Sequence, residues 1–597
     1  MTSSAVTVRA CPESVTRDGR GDPRNAAGQI RNCWPGEAKC FCDSDNDCYS
    51  LDGYVACTPV SASAITTTTS RDSGVRDTGV RDSGVRDSGV RDTGPVDSGV
   101  RDSGVRDTGP ADTGVRDSGV AVTPPVAAPA DAGTVTGTTT PSSGLRAFPG
   151  AEGFGASATG GRGGRVIYVT NLNTSGAGSL NDALQQTGPR YILFKVSGVI
   201  NGEAWLKSGD VTVAGQTSPA GVTVRGFHTT EASYCDQQCG ANARGVSNFV
   251  VRHLRSRPAN GSFPDALRLR YARNGVIDHL SMGNAQDEAA EISYANNITI
   301  QDSILAETIG DHANYGGMLI NYTNPAAGYA LDNLTLIRNT WNRIQGRYPE
   351  FSRESGSAAA NTTMRVELTN NLIWDQRYFI DVNPTNISGA NSGSWIFYQM
   401  NWVGNSSFSS TANRFGSIWM QPSSTGTSAY FNDNRSNLWP TRQDWDLNYC
   451  CNNYSGNTAA RPSWGRAARH DFPAVTVMPA ANVRAYAVAN AGAFPRDPMD
   501  RRLMGHVSAG TFDSRPINTN PANDALALNY TGSAPAAPAD TDNDGMPDAW
   551  ETSKGLNPAV QDHNGTSVSV AMTGVAGYTN LECYLNELAA LRVRNNR

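Results

Sequence analysis

Near the C-terminus, Asp540-Thr-Asp542-Asn-Asp544-Gly545-Met-Pro-Asp548-Ala-Trp-Glu551 places carboxylates at positions 1, 3, 5, 9 and 12 of a loop with glycine at position 6. Hard oxygen donors at this spacing suit Ca²⁺; the glycine allows the sharp turn, and Met546 offers its carbonyl. A merely acidic turn would not need all five carboxylates in register. A second, degenerate half follows at Asp562-His-Asn564-Gly, with Tyr578-Thr-Asn-Leu-Glu582 further on. Another acidic group lies mid-chain: Asp265, then Asp287 and Glu291 four residues apart. Taken alone, these acids read as a solvated loop, because Asp and Glu are usually exposed.

The elements around the mid-chain acids give them another reading. Short β-rich runs begin at Arg165, Tyr191, Val211 and Val222. Four strands then each start on asparagine: Asn248-Phe-Val-Val, Asn274-Gly-Val-Ile, Asn297-Ile-Thr-Ile and Asn333-Leu-Thr-Leu, at separations of 26, 23 and 36 residues. No long amphipathic helix lies between them, which argues against βαβ units. A strand motif recurring once per turn, with insertions confined to loops, predicts an all-β chain with a right-handed parallel β-helix. The rival is a β-sandwich with asparagine in ordinary turns. In a β-helix each corner amide can bond to backbone or to the asparagine of the next coil. Coils stack about 4.8 Å apart, so acids from adjacent coils can converge on one cation.

The rest of the chain is uneven. Residues 71–120 are ten pentads of the type RDSGV or RDTGV, with substitutions at Pro95, Val96, Pro110 and Ala111. They carry too little apolar surface to pack and read as a disordered linker over 61–145, continued by Thr, Pro and Ala. Six cysteines (Cys11, Cys33, Cys40, Cys42, Cys48 and Cys57) suggest a small disulfide-rich module over 1–60, with a zinc site as the alternative. Cys235 and Cys239 could close a small loop, and Cys450, Cys451 and Cys583 leave an odd thiol or a long-range bridge. This cysteine usage implies a secreted or cell-surface protein, although the first thirty residues show no charged-then-apolar leader. The β-helix is expected over 146–515. A short helical calcium-binding module is expected over 535–597, ending in an amphipathic helix from Tyr578 to Arg594. The 597 residues carry a formal net charge of −6, so nothing favours nucleic acid as a partner. No apolar run approaches a membrane span, and a monomer is expected.

Several ordered motifs carry a resemblance. Ala147-Phe-Pro-Gly-Ala-Glu-Gly-Phe-Gly, Thr159-Gly-Gly-Arg-Gly-Gly-Arg-Val, Val169-Thr-Asn-Leu, Gly178-Ser-Leu, Val196-Ser-Gly-Val-Ile, Val213-Ala-Gly-Gln-Thr-Ser-Pro, Val251-Arg-His-Leu-Arg and Val276-Ile-Asp-His occur in sequence. Together they resemble the pectate lyases of polysaccharide lyase family 1 over roughly residues 146–500. The resemblance implies that Asp265, Asp287 and Glu291 bind catalytic calcium. It also implies that Arg347, in Arg347-Tyr-Pro349, abstracts the C5 proton of a galacturonate. Free arginine is essentially always protonated. Calcium on the uronate carboxylate would acidify C5–H, and nearby cations could lower the arginine pKa. The C-terminal loop resembles the dockerin-like calcium loops of secreted polysaccharide enzymes.

The chain departs from that pattern in its basic residues. No lysine stands in His312-Ala-Asn-Tyr-Gly-Gly-Met, where the family commonly has one; Tyr315 or Gly316 takes its place. Glu350 follows the proline, and Ser352 replaces a second arginine, with Arg353 one step on. Tyr315, His312, Arg268, Arg270 and Arg353 are the candidates to neutralise substrate carboxylates in their stead. His279 reads as a packing histidine. The expected function is calcium-dependent cleavage of polygalacturonate, or a related uronic polymer, to 4,5-unsaturated products. The alternative is a catalytically weak β-helix that binds an anionic polysaccharide at the cell surface.

Overall fold

In the computed structural model the described residues are 144–229, 245–259, 264–309, 316–344, 346–351, 362–375, 380–382, 397–409, 418–420, 426–449, 461, 463–515 and 523–595, with four two-residue strands before residue 57. The chain falls into two compact units, Met1–Ala121 and Val122–Arg597. In the first, Thr16–Arg17 pairs antiparallel with Pro23–Arg24, and Phe41–Cys42 with Val55–Ala56. The expected cysteine knot and pentad linker otherwise lie outside the described residues, as do Cys235, Cys239, Cys450 and Cys451. Cys583 is a buried free thiol.

The second unit is a parallel β-helix. Its described strands form one 17-stranded and one 9-stranded parallel sheet. Each coil runs along three faces. Strand Leu267–Asp278 supplies two of them: its first half pairs with Ala290–Ser293, and its second half with Asn296–Gln301. The third face follows at Ser281–Gly283, which pairs with Ile304–Ala306. The parallel crossovers give the right-handed coil that such connections favour.

Corners are made by single left-handed residues. Asn248, Asn274, Asn297 and Asn333 all have φ between 52° and 65°, a region that asparagine tolerates better than most residues. Asn297 Nδ2 donates to Asn274 Oδ1 (3.0 Å), and Asn333 Nδ2 to Asn297 Oδ1 (2.9 Å). The amide ladder expected from the repeat is therefore present. A second ladder runs through Asn339, Asn371, Asn405 and Asn434, where each side-chain oxygen accepts a backbone N–H from the coil before it. The bend after the second face is also left-handed, at His253, His279, Asp302 and Arg338.

Inside the coil, side chains stack in register: Val251, Ile277, Ile300, Leu336, Leu368, Trp402 and Phe431 occupy equivalent positions in successive coils. All seven are buried in the main core. Residues 147–164 lie across the outside of the second face. There Phe154, Gly155 and Gly161 N–H groups donate to Thr335, Thr299 and Thr212 hydroxyls. A Cβ on Gly155 would stand 2.2 Å from the Gly275 carbonyl, which accounts for glycine in that motif.

Two helices that the sequence reading did not anticipate, Ala480–Asn490 and Pro498–Ala509, cover the third face. The C-terminal helix spans Asn580–Asn595. Among the described residues no helix is long and apolar enough to cross a membrane.

Candidate active site

The mid-chain acids sit where two coils enter their first face. Leu267 pairs with Ala290, so the residues just before them stack as well. Ala266 N–H donates to the Glu288 carbonyl (3.1 Å), Asp287 N–H to the Pro264 carbonyl (2.8 Å), and Glu288 N–H to Asp265 Oδ1 (3.0 Å). One carboxylate oxygen from each of Asp265, Asp287 and Glu288 lies within 4.8 Å of the others. Asp265 is fully buried and Glu288 is 4% exposed. Burial raises the Asp265 carboxyl above its ordinary value, and the charges of Glu291 and Asp287 add to this against Arg268. Glu288 is raised further, by burial and then by Asp265. Both shifts come first from burial and only then from the neighbouring carboxylates.

Glu291 lies outside this trio of oxygens, which includes Glu288 instead. Glu291 lies in strand register with Arg268 and pairs with it (3.2 Å). It also accepts from Arg270 (2.8 and 2.9 Å) and from Ser293 (2.6 Å). Arg268 in turn reaches Asp265 at 2.5 Å, so it bridges the trio to Glu291. Arg270 also lies near the Tyr322 ring.

Arg347 arrives two coils on. Met318 N–H donates to its carbonyl (2.8 Å), and its Nη1 donates to Glu288. Its Nε donates to Glu350 (2.8 Å). Its φ of 63° is the left-handed value found at coil corners throughout the fold and does not by itself mark catalysis. Burial alone would lower its pKa. Glu350 and Glu288 outweigh burial and hold it above the ordinary arginine value, whereas the sequence reading looked to nearby cations to lower it. A Cβ on Gly317 would stand 2.0 Å from the Arg347 carbonyl, and one on Gly316 would stand 2.6 Å from the Asp287 carbonyl. Glycine thus lets this coil pass between the acids and the arginine, and a lysine at Gly316 would have no room.

No family model matches the chain. A probable pectate lyase C of Emericella nidulans is 30% identical over 466 residues, which cover 74% of this chain and 93% of that protein. A second, of Aspergillus fumigatus, is 31% identical over 464 residues, covering 74% and 94%. The chain belongs to the pectate lyase family. It is a polysaccharide lyase. Among solved structures, the major cedar-pollen allergen jun a 1 matches with a TM-score of 0.38 at 15% identity, over 57% of this chain and 92% of that one. A pectate lyase of Bacillus sp. N165, solved with trigalacturonate, matches with a TM-score of 0.35 at 13% identity, over 57% and 98%. Likeness at that level adds nothing to the assignment.

Other expected residues of this pectate lyase divide into two sets. His312, Tyr315 and Arg353 lie outside the described residues. His279 stacks on His253 with ring centroids 4.7 Å apart, at successive corners, and its Nδ1 lies 3.0 Å from Asp278. In the C-terminal loop Asp540, Asp542 and Asp544 cluster, and Asp544 also clusters with Glu551 and Asp562. Asp548 does not join them. It is turned outward and accepts from Thr541 N–H and Oγ1, both at 2.7 Å. Asp548 therefore stands apart from the other four acids of the expected set. Glu288 and Asp562 are the acids that linear spacing did not assign to these clusters.

Proposed function

We propose that this pectate lyase cleaves polygalacturonate by calcium-dependent β-elimination, outside the cell, with Arg347 as the base and 4,5-unsaturated oligogalacturonides as products. The observation that carries this reading is the contact of Arg347 Nη1 with Glu288, which sets the arginine against the three-carboxylate group.

Calcium fits the donor set: three carboxylates from adjacent coils, crowded and raised by burial and mutual repulsion. Asp265, Asp287 and Glu288 would hold it. When bound there, calcium neutralises a uronate carboxylate and acidifies its C5–H. Arg347 must be uncharged to accept that proton. Glu350, Glu288 and Asp287 all hold Arg347 protonated, so a cation that neutralised Glu288 and Asp287 would favour its uncharged form. Arg347 then takes the C5 proton, the C4–C5 double bond forms, and the C4–O4 bond breaks. The leaving oxygen gains a proton from solvent. No water adds across the bond, so the acid–base carboxylate pair of a glycosidase is not needed. Arg268 and Arg270, oriented by Glu291, supply positive charge for neighbouring uronate carboxylates in place of the missing lysine.

The test is incubation with polygalacturonate and Ca²⁺ at alkaline pH, following the ultraviolet absorbance of the unsaturated product. The absorbance is expected to rise with calcium and not with chelator. A flat trace together with retained polymer binding would show a binding protein instead.

A further inference from the structure

We propose that the C-terminal loop holds one calcium ion as an internal clasp, ligated by Asp540, Asp542, Asp544, Glu551 and Asp562, fastening the C-terminal helix to the first strands of the β-helix.

The acids alone would not make a site, but Glu551 adds a second observation. Its side chain is fully buried, and neither carboxylate oxygen has a hydrogen-bond partner. One of its oxygens lies within 4.8 Å of oxygens of both Asp544 and Asp562. Asp542 Oδ2 is likewise buried without a partner. A buried carboxylate with two unused acceptors is costly unless a cation takes them. The charges around Glu551 are those of Asp544, Asp542, Asp562 and Asp540. Oxygen-only donors in this number select a hard divalent cation of the size of Ca²⁺.

The ligand set differs from the linear motif. Asp548 is spent on Thr541, closing the loop from outside. Asp562 replaces it from the following turn, where its backbone N–H also donates to Asp544 Oδ2 (3.0 Å). One ion therefore joins two loops that the sequence shows as separate halves.

The packing makes the loop a clasp rather than an outward docking surface. Along the opening strands, Ile192 and Phe194 face the coil interior. The alternate residues Tyr191 and Leu193 face out, against Met546, Leu581, Tyr584 and Leu585. Gly545 is wedged in this contact: with φ 102°, its Cβ would stand 2.8 Å from Leu193 Cδ1 and 3.0 Å from Leu581 Cδ1. Tyr168 donates to Asp540, and Lys195 to Asn543 (3.0 Å). From the helix side, Glu582 pairs with Arg162 (2.8 Å), and Arg592 donates to the carbonyls of Gln216, Ser218 and Pro219.

The experiment uses the full-length protein carrying Asp265→Asn, Asp287→Asn and Glu288→Gln, so that the mid-chain carboxylates contribute nothing, and reads thermal stability in chelator and in saturating Ca²⁺. Calcium is expected to raise Tm by roughly 5 °C. Adding Glu551→Gln is expected to abolish the rise, while Asp548→Asn leaves it in place. If Glu551→Gln is insoluble, Asp562→Asn decides, with an expected loss of calcium affinity of at least ~10-fold. No rise with the catalytic acids removed, an equal rise in Glu551→Gln, or unchanged affinity in Asp562→Asn would each overturn the clasp. The outcome is independent of whether the protein degrades any polymer.

Discussion

Arg347 and Glu288 are joined directly: the arginine Nη1 donates to a carboxylate that also faces Asp265 and Asp287. One acid is thus shared between the proposed base and the proposed metal ligands. Its charge holds Arg347 protonated, and its neutralisation favours the reactive form.

Glu288→Gln is therefore expected to separate two effects. The calcium concentration for half-maximal activity should rise at least ~10-fold, because one charged ligand is lost. The rate at saturating calcium should stay within ~10-fold of the parent, because Glu350 still orients Arg347 while one charge that holds it protonated is gone. Calcium titrations of initial rate check this. A collapse in rate at every calcium concentration would place Glu288 in the chemistry itself.

Gly317→Ala should impair catalysis more than folding. The new methyl group meets the Arg347 carbonyl at 2.0 Å and must displace it. A shift of about 1 Å in a reacting group costs on the order of 10²-fold in rate. Comparing kcat with the urea midpoint distinguishes this from simple unfolding.

The asparagine ladder gives a stability prediction with an internal control. Asn297→Ala loses the bonds to Asn274 and Asn333 and places at φ 54° a residue that tolerates the left-handed region less well than asparagine. The cost should be about 2–3 kcal/mol. Asn297→Gly keeps the left-handed backbone and loses only the ladder, so about 1 kcal/mol is expected. Urea unfolding of both variants measures the difference.

His253 makes stability pH-dependent. Burial, then His279 and Arg252, depress its pKa well below the ordinary histidine value, against the pull of Asp278. A depressed pKa means that the folded protein keeps histidine neutral while the unfolded chain takes a proton. The contribution is therefore full above about pH 6.5, the ordinary value, and declines as pH falls below it. The slope from this one proton approaches ~1.4 kcal/mol per pH unit. In His253→Asn, where asparagine also tolerates the left-handed corner, unfolding free energies between pH 7 and pH 5 should show a shallower slope, whatever the absolute stability.

Much of the fold was legible because it repeats. Asn248, Asn274, Asn297 and Asn333 occupy the same corner in each coil, and a solenoid writes that equivalence into the sequence. Asp265 and Asp287 could be placed from the motifs around them. Glu288 could not. Adjacent residues in a strand point to opposite faces, so a strand-like reading sends Glu288 away from Asp287; residues 284–289 are not strand, and both side chains reach the same place. Asp562 was hidden for a different reason, since its partners lie 11 or more residues earlier and come together only through tertiary packing. Helix Ala480–Asn490 escaped because it is alanine-rich and shows little apolar periodicity. The opposing effects of burial and of Glu350 and Glu288 on Arg347 depend on geometry alone.

The most direct test of the account is the initial rate of unsaturated-product formation from polygalacturonate by Arg347→Ala, at saturating calcium and with calcium binding verified. A loss of about 10²–10⁴-fold is expected, with polymer binding largely kept. A rate within ~10-fold of the parent protein would contradict Arg347 as the base.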